Sequence, residues 1–125
     1  MTRSVSSVRA EVKRLFSYDL PDAKSLPEDP EDCCVGMQTD IGPVGEKGAD
    51  TFEFEVCTPR GLARRFDAEG RPFWSRGTLL VPSFSWEAVE AAVDQRVRAV
   101  EAQDWRELAE KLNRFMIWEF EDYQG

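Results

Sequence analysis

Apolar side chains recur along the chain at two spacings, and each change of spacing marks a new element. Val8, Ala10 and Val12 alternate with Arg9, Glu11 and Lys13, the two-residue period of a strand with one buried face. Val35, Met37, Thr39 and Ile41 repeat that pattern against Gly36, Gln38 and Asp40, and Phe52, Phe54 and Val56 do so against Glu53 and Glu55. Gly42, Pro43, Gly45 and Gly48 lie between these two runs, which predicts an antiparallel hairpin. Thr78 to Val81 predicts a fourth strand, stopped by Pro82. Phe115 to Tyr123 predicts a last one, with Met116, Trp118 and Phe120 on one side and Ile117, Glu119 and Glu121 on the other.

The helical period appears in three places. Thr58 followed by Pro59 suits a cap and first helical position, and the short helix runs to about Asp67 with Leu62 and Phe66 turned inward, ended by Gly70 and Pro72. Ser85 caps a longer helix whose Val89, Ala92, Val93, Val97 and Val100 form one apolar stripe. Asp104, with Glu107 three residues on, resembles a capping box ahead of Trp105, Leu108, Ala109 and Leu112. Between Ser17 and Asp32, Pro21, Pro27 and Pro30 disfavour helix and predict a surface loop long enough to carry function. This order predicts an α+β fold: a mostly antiparallel sheet of about five strands with two helices of the C-terminal half packed on one face. No repeat breaks the chain, so residues 1–125 read as one domain.

Composition narrows the chemistry. The net charge of −8 repels phosphate backbones and anionic membranes and favours a basic protein partner, although plain solubility accounts for the same charge. With no histidine, the common neutral-pH proton shuttle, the usual nucleophile pairs and most transition-metal sites are excluded. The three cysteines, Cys33, Cys34 and Cys57, have no framework spacing and read as reduced thiols, which points to the cytoplasm. Met1 to Phe16 has no apolar signal region, and no later run approaches the length of a membrane span. Neither a metal nor a cofactor is expected.

Candidate contact residues are therefore carboxylates. Because strands alternate faces, burying Val12, Met37, Phe54 and Trp118 turns Glu11, Gln38, Asp40, Glu53, Glu55, Glu119 and Glu121 outward, which predicts an acidic open face. The loop Pro27-Glu-Asp-Pro-Glu-Asp32 adds Glu28, Asp29, Glu31 and Asp32, stiffened by its prolines; a phosphate mimic and an ordinary solvated connector both fit it. In the closing run, Trp118 and Phe120 read as core, and Asp122 and Tyr123 as contacts. Carboxylates two apart on an open strand stay solvated and unshifted, so Glu53 with Glu55, or Glu119 with Glu121, makes a poor acid–base pair and no enzyme is expected.

Taken together, Pro27-Glu-Asp-Pro-Glu-Asp32, Ile41-Gly-Pro-Val-Gly-Glu46, Thr51-Phe-Glu-Phe-Glu-Val-Cys-Thr-Pro59 and Trp118-Glu-Phe-Glu-Asp-Tyr123 resemble the eighth immunity-protein family of bacterial polymorphic toxin systems. The likeness spreads over nearly the whole chain, apart from the Gly- and Arg-rich stretch Ala68 to Gly77 and the Cys33-Cys34 pair. It implies an α+β fold and neutralisation of a cognate toxin encoded beside the immunity gene, by binding and not by turnover. The charge argument then expects occlusion of the active site of a basic toxin, a nuclease in particular, with no nucleic acid or membrane as partner. An acidic adaptor without a toxin is the competing expectation.

Overall fold

Alternating β-branched and aromatic residues build the sheet, and capped apolar stripes build the helices laid on it. The structure, a computed structural model, describes residues 7–22 and 24–121. Strands β1 (Val8–Ser17), β2 (Cys34–Pro43) and β3 (Asp50–Cys57) form an antiparallel meander. Helix α1 (Pro59–Glu69) then crosses to β4 (Thr78–Leu80), which pairs parallel to β3. Helix α2 (Trp86–Arg98) follows, then β5 (Glu101–Ala102) on the far edge of β1, α3 (Trp105–Leu112), and β6 (Ile117–Trp118) antiparallel to β3. The order across the sheet is β4-β3-β2-β1-β5, with β6 sharing the edge of β3 that β4 occupies. The expected α+β fold, with α2 and α3 on one face of a largely antiparallel sheet, is what the chain adopts.

Register fixes which side chains share a face. Met37 lies opposite Phe54 and Thr39 opposite Phe52, so the odd positions of β2 and the even positions of β3 point together. They meet Val89, Val93 and Val97 of α2 and Leu108 and Leu112 of α3 in one core that also takes in Ile41, Val56 and Trp118. Phe52, Met37, Ile41, Leu108 and Leu112 are fully buried, each contributing roughly 1.5–3 kcal/mol relative to exposure. The three helices start at the side-chain oxygens of Thr58, Ser85 and Asp104, each accepting from a backbone N–H three residues on. The box at Asp104 is only half closed, because the Glu107 carboxylate pairs with Lys111 instead of turning back.

Three local expectations need correction. The first strand does not end where its alternation stops: a bulge between Val12 and Arg14 inserts one residue, and β1 continues to Ser17 with Leu15 and Ser17 facing inward in place of even positions. The closing strand is two residues long, and residues 119–121 form a turn, so Phe120 lies 39% exposed, edge-on to Trp118. Phe66 is 47% exposed and stacks on Phe73 instead of entering the core. The fourth strand, whose direction the alternation leaves open, runs parallel to β3, because α1 is long enough to return the chain to its starting end.

Candidate functional site

The face of the sheet turned away from α2 and α3 carries Arg14 and Phe16 from β1, Gln38 and Asp40 from β2, and Glu53 and Glu55 from β3. The pairings Arg14 with Asp40, Phe16 with Gln38, and Gln38 with Glu53 line them up in rows. Where β1 ends, Tyr18 folds across this face: a Cβ built on Gly36 would lie 2.7 Å from the Tyr18 hydroxyl and 2.9 Å from Asp19 Oδ2. Only glycine leaves that space. Asp19 takes over the ladder position β1 has vacated, accepting from the Gly36 N–H at 2.6 Å, while Ser17 Oγ donates to the Gly36 carbonyl at 2.7 Å.

Tyr18 is 58% exposed and lies in the field of three carboxylates. Burial raises its phenol above the ordinary value of 10, and the charges of Glu53, Asp19 and Glu55 raise it further. Asp19 also lines a surface groove of about 600 Å³ with Glu28, Asp29, Asp32, Cys34 and Arg64. It thereby joins the sheet face to the acidic loop. Neither Tyr18 nor Asp19 stood out in the sequence, since both sit in a loop with no period; the one available signal is an aromatic placed directly after a strand and before an acid.

The carboxylates expected to make contacts divide into committed and uncommitted groups. Glu55 takes both prongs of Arg65, Nη1 at 2.8 Å and Nη2 at 2.7 Å, and this bonding holds the guanidinium proton more tightly than usual. Asp32 accepts from Arg64 at 2.6 Å, and Glu121 is paired with Arg76. Glu119 Oε2 accepts from the Thr51 N–H at 2.6 Å, and Asp40 from the Thr51 hydroxyl at 3.0 Å. Asp29 turns its own loop by accepting from the Glu31 N–H at 3.0 Å. Among the described residues, the side chains of Glu28, Glu31 and Glu53 have no hydrogen-bonding or ionic partner and lie exposed. Asp122 and Tyr123 lie outside the described residues.

The open face is thus less uniformly acidic than alternation alone suggests. At its β1 end Lys13 binds Glu11 at 2.8 Å, and this bond with that from the Gly45 N–H lowers the Glu11 pKa; Arg14 lies 4.2 Å over the Phe16 ring. At its β3 end α1 leans over Glu55 through Arg65. The acidic region between them centres on Tyr18, Asp19, Gln38 and Glu53 and continues through the groove to Glu28 and Asp29. On the flank formed by residues 68–77, Trp74 is fully exposed. Among the described residues no group of three or more His, Cys, Asp or Glu is placed to hold a metal ion, and no helix is long and apolar enough to cross a membrane.

The sheet thus presents an exposed tyrosine set among carboxylates, an aromatic that offers contact area and acids that offer charge complementarity. The model of the family "Immunity protein 8" matches residues 10–123, and the chain belongs to that family. Membership implies a toxin-neutralising role. Comparison with curated proteins and with solved structures gives no match.

Proposed function

We propose that this immunity protein neutralises its cognate toxin by covering the toxin's active site or substrate groove with the acidic face around Tyr18. The target is then basic, a nuclease being the natural fit, and carboxylates stand where that enzyme receives phosphates. The inhibitor acts stoichiometrically in the cytoplasm, as one domain, with no cofactor. The observation that carries this reading is Tyr18 held over Gly36 among Asp19, Glu53 and Glu55. Binding here desolvates an aromatic already fixed in place, so little conformational freedom is lost on docking.

Co-expression with the toxin encoded beside the gene tests the proposal, using growth as readout and calorimetry on the purified pair. Wild type protects, and affinity falls as salt rises. Glu53→Lys and Tyr18→Ala each weaken binding by about tenfold or more and lower protection. A tight complex insensitive to salt and to both substitutions removes occlusion by this face while leaving neutralisation intact. No protection at all by wild type turns the reading to an acidic adaptor.

A further inference from the structure

The adjacent Cys33 and Cys34 look like a pair in the sequence, but the fold separates them. Cys33 belongs to the core on the helix-covered side, its thiol 3.8 Å from the Pro30 carbonyl. Cys34 begins β2 and points to the opposite face, where its register partner is Cys57, the last residue of β3. The hydrogen bonds around this pair fix its type. Thr58 N–H donates to the Cys33 carbonyl at 2.9 Å, and Cys33 N–H donates to Thr58 Oγ1 at 3.0 Å, so Cys33 and Thr58 form a hydrogen-bonded rung. The next rung, Cys34 with Cys57, is therefore of the non-hydrogen-bonded kind, in which Cα atoms approach to about 4.5 Å and side chains lie closest. That spacing falls within the range a disulfide spans.

We propose that Cys34 and Cys57 are a redox modification site: a cross-strand dithiol that hydrogen peroxide converts to a disulfide, with Cys33 as a bystander. Access comes from the groove lined by Asp19, Asp29, Asp32 and Arg64, which borders both Cys33 and Cys34; of the three thiol residues Cys34 is the half-exposed one, whereas Cys33 is 7% exposed and Cys57 is fully buried. Burial, then hydrogen bonding with Cys34, holds the Cys57 proton far beyond the usual thiol range, so Cys34 reacts first. Its thiolate sulfur attacks one peroxide oxygen, the O–O bond breaks, and the departing hydroxide takes up a proton to leave as water, giving a sulfenic acid. The Cys57 sulfur then attacks the Cys34 sulfur; the S–O bond breaks, and the Cys57 proton leaves with that oxygen as a second water. Two thiols have lost two electrons and one peroxide has become two waters.

The bond would close the loop of residues 34–57 and clip β2 to β3 beside the first turn of α1. The full chain is treated with hydrogen peroxide under native conditions, then alkylated and examined by intact mass and peptide mapping. The expected result is a loss of about 2 Da, a Cys34–Cys57 peptide, free Cys33, and a Tm higher by roughly 5–15 °C that returns on reduction. Cys33→Ser keeps the mass loss, while Cys34→Ser, at the half-exposed position, abolishes it; far-UV circular dichroism establishes that both variants are folded. A Cys33–Cys34 link, a gain of about 16 or 32 Da without cross-linking, or a mass loss seen only in denaturant overturns the proposal.

Discussion

Arg65 on α1 grips Glu55 on β3 with both guanidinium prongs, at 2.8 and 2.7 Å, and so ties a crossover helix to the open side of the sheet. The pair is about one-quarter to one-third exposed, so solvent screens part of its strength. Arg65→Ala is expected to cost about 1 kcal/mol in urea denaturation, with a smaller loss at high salt. An unchanged midpoint at low salt would mean that Thr58 and Gly61 alone hold the helix.

Gly61 is the tighter constraint on that helix. A Cβ there would sit 2.2 Å from the Cys33 carbonyl oxygen, a backbone atom held in place by Thr58. Gly61→Ala should therefore destabilise the fold by about 3 kcal/mol or more, even though alanine is the better helix former. A neutral or stabilising effect in the same assay would show that α1 stands farther from β2 than described.

Asp50 carries a half-buried polar junction. Its Oδ2 accepts from the indole N–H of Trp105 at 2.8 Å and of Trp118 at 3.0 Å, joining the start of β3 to α3 and β6. Asp50→Ala leaves two indole donors without an acceptor and is expected to cost about 2–4 kcal/mol, followed by tryptophan fluorescence in urea. Asp50→Asn keeps an acceptor oxygen and should recover part of that loss; equal loss in both variants would assign the effect to charge.

High pH should unfold the protein. Burial raises the thiols of Cys33 and Cys57 above 9 and the phenol of Tyr18 above 10. The folded state thus holds protons that the unfolded chain releases first. The stability linked to these groups is complete below about pH 9 and declines as pH rises past it. Urea midpoints between about pH 8 and 11 should fall, and Cys57→Ala should flatten the decline. A level profile in the wild type would contradict the sign.

What the sequence revealed followed periodicity. The hairpin of β2 and β3, the capped α2 and α3, and the outward direction of Glu53 and Glu55 were all legible because each element keeps one period over several residues. What escaped lay where a period is interrupted or too short. The bulge at Lys13 reverses the alternation of β1, β5 and β6 are two residues each, and Tyr18 acquires its position only from the absent side chain of Gly36. Charge counting likewise overstated the acidic face, because Arg64, Arg65 and Arg76 reach their carboxylates from segments distant in the chain.

The shared edge of β3 bears on behaviour at high concentration. Two short strands from separate parts of the chain, β4 and β6, each occupy part of that border, so no long row of open backbone groups faces outward there. On the far border β5 covers Val8 and Arg9, and the irregular, cationic Lys13-Arg14 step lies just beyond. Borders finished in this way disfavour strand-by-strand stacking into fibrils, a useful property for an immunity protein that must stay dispersed until it is needed.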